Sequence, residues 1–347
     1  MGDFIGWLCH YTPVEVITAA GYIPFRLLGR KGNNSRSATY FSGNLCPYVQ
    51  SCLEAALRHE LPPLKGVVIA RSCNAMMHLA NLWSRYITRG QTFVLDVPRR
   101  FDDDAVLYFA QNLRRLTKEL TGTTNIDKEN LWTAINLWEE QREGWRELLS
   151  RRAEETPLSG TEIMAKLTRW QPPAASDKAT NSQQAFISLT ADGKQKKDVK
   201  RPRLFLAGSI IPQELVEMVE ELGGLVTFAD GCNGWRLLLA PVTGDERDPF
   251  LYLAKLYLGG PPCPRMVPVR GWRSRYWAAA VEQFQIRGAI YHAMKFCDAA
   301  VYDFLALKNF CEKRGLPLLR LDGDFSGGNR GQWRTRIEAF LEMLEVQ

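Results

Sequence analysis

The chain has 347 residues, of which 46% are hydrophobic and 24% charged, a balance typical of a globular protein long enough for two domains. No apolar run approaches the length of a membrane span, and the N-terminus lacks the features of a signal peptide, so we expect a cytoplasmic protein without membrane association. Six basic residues and one acid within residues 194–203 contribute +5 of the net charge of +6, which leaves no broad basic face for nucleic acid.

The first half of the chain alternates between helix and strand patterns. A helix is predicted over Pro13–Ala20 with Thr12 as its N-cap, and Cys46 with Pro47 opens a second helix. Strands are predicted over Ile23–Leu28, Val67–Ala70 and Thr92–Val97, and further helices over Ala75–Tyr86, Asp103–Thr117 and Lys128–Arg152. Strands separated by helices predict a parallel α/β sheet.

The composition changes over Gln171–Lys200, which is rich in proline, alanine and serine and then in lysine. We interpret this stretch as a linker between an N-terminal domain, 1–170, and a C-terminal domain, 201–347, with a variable insertion on the surface as the alternative. The second half repeats the alternation. Its predicted strands are Arg203–Ala207, Leu225–Phe228, an apolar run beginning at Gly288, and Pro317–Leu321, and its predicted helices are Pro212–Leu222, Asp248–Leu258, Arg273–Arg287 and Arg334–Glu345.

Several cysteines stand where such a fold binds ligands. Cys73, Cys232 and Cys297 each follow a predicted strand, and ligands of open α/β sheets bind at the carboxyl ends of the strands. Cys46 lies at a helix N-terminus, where the helix dipole favours the thiolate. Because all these thiols are reduced in the cytoplasm, metal binding and plain burial are the two interpretations that remain.

The eight cysteines contain no CxxC pair, so a zinc ribbon or a ferredoxin-type loop is disfavoured. Any metal must therefore be held by cysteines that only the fold brings together. Cys52 and Cys311 lie on apolar helix faces and are expected in the core. For Cys232 and Cys263 the sequence leaves ligation and packing open, and packing is favoured for Cys9. His292 is expected to be a core residue bonded to the backbone.

Seven stretches, taken in order, have the motifs of one known family. They are CHYTPVEVITAAGYIPFRLLG, CPYVQS, VVIARSCNAM, ADGCNGWR, PPCPRM, AIYHAMKFCD and QWRTRIEAFLEML. On these motifs the chain resembles the 2-hydroxyacyl-CoA dehydratase family, which also contains benzoyl-CoA reductase subunits. The resemblance covers nearly the whole length.

The resemblance implies two similar Rossmann/flavodoxin-like α/β domains with parallel sheets and an iron–sulfur cluster in the cleft between them. By motif, the three ligands of a [4Fe–4S] cluster fall on Cys46, Cys73 and Cys297, and the fourth iron is left for substrate. The implied reaction removes water from a 2-hydroxyacyl-CoA by one-electron (ketyl radical) chemistry. Its implied partners are an ATP-dependent iron–sulfur activator and a homologous subunit or a second copy of the chain.

A branch of the same family suggests an alternative. Its members are homodimers with a double-cubane [8Fe–9S] cluster that reduce small molecules, and the additional cysteines Cys232 and Cys263 are compatible with that cluster. A third hypothesis is a non-catalytic electron-transfer or cluster-carrying partner. No catalytic acid or base can be assigned from the sequence.

Overall fold

The computed structural model describes residues 3–41, 43–124, 127–154, 158–168, 201–238, 246–267, 271–324 and 327–346. The chain divides into two compact units, and the division falls within the helix Lys128–Glu154. The first unit holds the described residues up to Glu140 and those between 246 and 267, and the second holds the others. The predicted linker Gln171–Lys200 lies outside the described residues, and the predicted domain bounds stay a prediction.

The first unit is built on a four-stranded parallel sheet in the order β2-β1-β3-β4. The strands are β1 (Phe4–Trp7), β2 (Ile23–Arg26), β3 (Leu64–Arg71) and β4 (Gln91–Asp96). Helices α1 (Val14–Ala19), α2 (Pro47–Leu57), α3 (Asn74–Tyr86), α4 (Asp103–Thr121) and α5 (Lys128–Glu154) follow, with α5 beginning in this unit. Strand β3 is buried along Val67–Ala70, as expected for a strand covered on both faces.

Strand β1 was not predicted from the sequence. Its four residues, FIGW, are too few for a clear period, and a glycine inside a run weakens the strand signal. Gly6 is closely packed, since a Cβ there would lie 3.0 Å from the Leu64 side chain of the neighbouring strand, which would have to shift to accommodate it. The consequence for the site is that Cys9, like Cys73, comes two residues after a strand.

The second unit repeats this arrangement with a parallel sheet in the order β6-β5-β7-β8. The strands are β5 (Arg203–Gly208), β6 (Leu225–Asp230), β7 (Gly288–Met294) and β8 (Leu318–Gly323). The remaining helices are α6 (Gly160–Thr168), α7 (Gln213–Glu221), α8 (Pro249–Gly259), α9 (Trp272–Gln283), α10 (Asp298–Arg314) and α11 (Arg330–Val346), of which α8 belongs to the first unit. Helix α6 was not predicted from the sequence.

Both sheets have their strands in the order second, first, third, fourth, which is the flavodoxin-like order. The predicted α/β fold with two similar domains is therefore confirmed. In each sheet the direction of strand addition reverses beside the first strand, between β1 and β3 and between β5 and β7. Ligands of such sheets bind outside the carboxyl ends of the strands at this switch point. Within the described part of the chain, no helix is long and apolar enough to cross a bilayer.

Candidate functional site

Two predicted ligands of the first unit occupy helix N-termini at the carboxyl edge of its sheet. Cys73 comes two residues after β3 and is the N-cap of α3. Cys46 is the N-cap of α2, whose first helical residue is a proline. The hydroxyl of Tyr48 donates to the carbonyl of Leu27 at 2.8 Å, just past the end of β2, and thereby anchors the start of α2 at this edge.

Cys9 and Cys263 lie together at the same edge. A hydrogen bond joins the Cys9 thiol to the side chain of Ser72, the residue before Cys73. The amide of Cys263 donates to the Tyr11 hydroxyl at 3.3 Å, and the Arg265 guanidinium lies 4.8 Å from the centre of the Tyr11 ring. Desolvation raises the pKa of the Cys9 thiol, with a smaller rise from the nearby Cys263. The motif PPCPRM thus brings a second thiol beside Cys9.

The second unit presents two more cysteines at the carboxyl edge of its own sheet. Cys297 follows β7 and is the N-cap of α10, so it corresponds in topology to Cys73 in the first unit. Cys232 follows β6, and its amide donates to the Ser209 carbonyl at 2.5 Å, just past the end of the neighbouring strand β5. Both thiols are partly exposed.

A network of two acids and two arginines adjoins the segments that carry these two cysteines. Asp230, at the end of β6, is fully buried and pairs with Arg236, four residues after Cys232. Arg273 of α9 contacts Asp230 at 3.0 Å and Asp303 of α10 at 2.7 Å. The indole of Trp277 donates to Asp230 at 2.9 Å. This network was not predicted from the sequence, because a charged residue beside a strand is equally typical of a solvated position.

The opposite charges of this network offset the cost of burying each of them. Burial alone would raise the pKa of Asp230, but the charges of Arg236 and Arg273 bring it below its usual value. At Asp303 burial outweighs the attraction of Arg273, and its pKa is raised. Two carboxylates facing two guanidinium groups satisfy the condition under which buried charges are tolerated.

The predicted three-cysteine site is not preassembled within either unit taken alone. The first unit contains Cys46 and Cys73, and the second contains Cys297. Among the residues that the structure describes, no three histidine, cysteine, aspartate or glutamate side chains form a group that could hold a metal ion. Ligation by Cys46, Cys73 and Cys297, with Cys232 and Cys263 as further candidates, therefore stays a prediction. Cys52 and Cys311 are each 1% exposed, so their expected places in the core are confirmed.

Comparison with known proteins shows the family to which the chain belongs. The family model of the 2-hydroxyglutaryl-CoA dehydratase D-component matches residues 9–344. The chain belongs to this family. The beta subunit of (R)-phenyllactyl-CoA dehydratase from Clostridium sporogenes is 23% identical over 98% of this chain and 91% of its own length.

Two other relatives show the range of the family. The beta subunit of (R)-2-hydroxyglutaryl-CoA dehydratase from Acidaminococcus fermentans is 22% identical over 98% of this chain and 92% of its own length. A benzoyl-CoA reductase subunit from Thauera aromatica is 20% identical over 99% of this chain and 91% of its own length. The protein is accordingly an enzyme subunit of the 2-hydroxyacyl-CoA dehydratase or reductase kind, as the sequence motifs predicted.

The dehydratase-family motif AIYHAMKFCD also contains the core histidine predicted from the sequence. His292 is 1% exposed in β7, and its Nδ1 lies 2.7 Å from the carbonyl oxygen of Ile210. Because a carbonyl can only accept, Nδ1 carries the proton. Burial lowers the pKa of His292 to about 4. The expectation of a core histidine bonded to the backbone is confirmed.

We expect this histidine to make the protein sensitive to mild acid. In the unfolded chain His292 binds a proton near its ordinary pKa of 6.5, whereas in the folded chain it does so only near about 4. The contribution of His292 to the free energy of unfolding is therefore fully present above pH 6.5. It falls by about 3 kcal/mol as the pH drops to 4. Denaturant unfolding at several pH values should show a shallower pH dependence in His292→Asn. The control His78→Gln, at an exposed position of α3, should keep the slope of the wild type. Equal slopes in His292→Asn and the wild type would contradict the assignment.

The cavity described in the first unit lies away from these cysteines. Its volume is about 470 Å³, and it opens beside Leu64 and Gly66 at the amino end of β3, whereas Cys73 follows the carboxyl end. The wall includes Leu57 at the end of α2, Trp83 of α3 and Ile87 just after α3. The carboxyl edge of the first sheet, which carries the cysteines, and this cavity are thus separate features of the first unit.

Proposed function

We propose that the protein is the iron–sulfur subunit of a 2-hydroxyacyl-CoA dehydratase-type enzyme, with a [4Fe–4S] cluster held by Cys46, Cys73 and Cys297. The observation that carries the proposal is that all three cysteines are helix N-caps. Two of them follow strands at the switch edge of a parallel sheet. In the proposal the three thiolates meet in the cleft between the two domains.

The chemistry of this donor set fits an iron–sulfur cluster. Thiolate is a soft ligand that iron accepts readily, and three thiolates leave one iron of a cubane for another ligand. Each N-cap position places its cysteine at the positive end of the helix dipole, which stabilises a thiolate and a negatively charged cluster, and backbone N–H groups beside a cluster can donate to its sulfurs. Such hydrogen bonds to sulfur also set the reduction potential.

When bound, the cluster would supply one electron of very low potential to the thioester carbonyl of a 2-hydroxyacyl-CoA, so that water can be eliminated, and would recover the electron afterwards. The residues of this chain hold the thiolates in place and shape the edge at which the acyl-CoA binds. A separate ATP-dependent iron–sulfur activator supplies the electron. The relatives named as beta subunits support a second, homologous subunit as partner. The reduced thiols that this chemistry needs are those of the cytoplasm, where we place the protein.

A direct test is anaerobic reconstitution with iron and sulfide, followed by assay with a partner subunit, the activator of a dehydratase relative and ATP. We expect a panel of 2-hydroxyacyl-CoA thioesters to yield a 2-enoyl-CoA, monitored by liquid chromatography and mass spectrometry. The conversion should stop when ATP is omitted, because the electron then has no source. A reconstituted protein that binds iron but converts none of the thioesters would contradict the dehydratase assignment.

The neighbouring thiols support one other candidate, a homodimeric reductase of small molecules with an [8Fe–9S] double cubane. Cys9 and Cys263 interact at the same edge as Cys73, and Cys232 stands at the same edge as Cys297. A larger cluster would need additional thiolates at such positions. We favour the single cubane, because its three ligands share the N-cap position and these additional cysteines do not.

A further inference from the structure

The turn that carries Cys232 is fixed from within. Asp230 and Arg236 flank the cysteine, and their buried side chains pair across the turn. The side chain of Asn233 makes two hydrogen bonds of 2.8 Å with Ile211, accepting from its amide and donating to its carbonyl. The pair of Asp230 with Arg236 therefore couples the position of the turn to that of the Asp230 side chain.

The helix that begins at Cys297 is held in a similar way. The Tyr291 hydroxyl donates to the carbonyl of Ala300 in the first turn of α10 at 2.6 Å. One turn further along, the carboxylate of Asp303 is buried. Since Cys297 is the N-cap, the position of its thiol depends on where this first stretch of α10 is held.

One guanidinium connects the two cysteine-bearing segments. Nη2 of Arg273 donates to Asp230 Oδ2 at 3.0 Å and to Asp303 Oδ2 at 2.8 Å, and Nε lies 2.7 Å from Asp303 Oδ1. Strands β6 and β7 are separated by β5, so the sheet itself holds their ends about 10 Å apart. Beyond the strand ends, Cys232 keeps one backbone hydrogen bond to Ser209, and the Arg273 contacts add a side-chain link between the end of β6 and α10.

We propose that Arg273 is a positioning residue that sets the separation between Cys232 and Cys297. Its planar fork contacts both carboxylates at once, which the single ammonium group of a lysine cannot reproduce with the same geometry. The meaning of this separation for cluster binding depends on the proposed function, because Cys297 is there a cluster ligand. The positioning itself is a property of the chain without iron.

The test uses the full chain without iron, in a background where the other partly exposed cysteines, Cys9 and Cys73, are replaced by serine. Nitroxide labels on Cys232 and Cys297 report their separation through dipolar broadening of the electron paramagnetic resonance spectrum. In Arg273→Lys we expect the distribution of separations to widen by about twofold, because one of the two carboxylate contacts is lost. The matched control, Arg275→Lys, is an exposed position on the same helix and should leave the distribution unchanged.

A second variant keeps the test decisive if Arg273→Lys does not fold. Asp303→Asn removes only the charge by which α10 is held and leaves the pair of Asp230 with Arg236, so it should widen the distribution in the same direction. Circular dichroism establishes that each variant is folded. An unchanged distribution in a folded Arg273→Lys or Asp303→Asn protein overturns the inference.

Iron content, measured separately on unlabelled protein, distinguishes this inference from the proposed function. Widening without any iron binding by the wild type would support the positioning role and contradict the cluster assignment. Iron binding together with an unchanged separation would support the cluster assignment and contradict the positioning role.

Discussion

Cys297→Ser is expected to abolish the visible absorption of the anaerobically reconstituted protein. The serine hydroxyl is a hard and weakly acidic ligand, so it replaces a thiolate poorly at iron. Cys297 is the N-cap of α10, and a serine is well accepted at that position, so the helix itself should persist. The measurement is the absorption spectrum together with iron and sulfide content per chain.

Cys311→Ser provides a control on the same helix. Cys311 is 1% exposed, and burial raises the pKa of its thiol to about 12, so it is a core residue rather than a ligand. The serine there loses some stability, because its hydroxyl is buried, but should retain the absorption. An absorption that survives Cys297→Ser, or disappears in a folded Cys311→Ser protein, would show that the ligand assignment is wrong.

The positions of the main thiols could be predicted because each depends on local sequence. Cys46 followed by proline is a helix start that needs no tertiary information, and the structure places the N-cap of α2 at that residue. Cys73 and Cys297 come after short apolar runs that were interpreted as strands, and both runs are strands.

Features that depend on tertiary contacts could not be predicted in this way. Strand β1 is only four residues long and is defined by pairing with both β2 and β3. The role of Arg273 requires that α9, β6 and α10 meet, and no local pattern specifies this meeting. Charged residues are exposed in most proteins, so the sequence alone predicts an exposed position for Asp230, which is in fact buried.

The proximity of Cys9 to Cys263 also depends on tertiary contacts. They are separated by more than two hundred residues, and the link between them is the Tyr11 hydroxyl, which accepts from the Cys263 amide. Cys9 was not recognised as a residue at a strand end, since the strand before it was missed. Had β1 been recognised, the spacing of two residues after a strand end, which Cys73 shares, would have indicated Cys9 as an edge residue.

Iron content across a set of serine variants is expected to separate the essential thiols from their neighbours. Cys46→Ser and Cys73→Ser should each reduce the iron content from about four per chain to nearly none, because a cubane with two remaining protein thiolates is poorly held. Cys232→Ser and Cys263→Ser should keep about four irons per chain, since neither residue shares the N-cap geometry of the three proposed ligands. These two variants are the matched controls, one in each unit.

The same measurement decides between the two clusters. Cys263 lies beside Cys9 at the edge that carries Cys73, and Cys232 lies at the edge that carries Cys297, so both are well placed for a larger cluster. About eight irons per chain in the wild type, lost on replacing either Cys232 or Cys263, would establish the double cubane and contradict the single one. Mössbauer spectra of the wild type and of Cys263→Ser would then differ in the number of iron environments, whereas a single cubane predicts the same spectrum for both. With a single cubane, the additional thiols would be neighbours of the cluster, where hydrogen bonds and local polarity influence its potential without ligation.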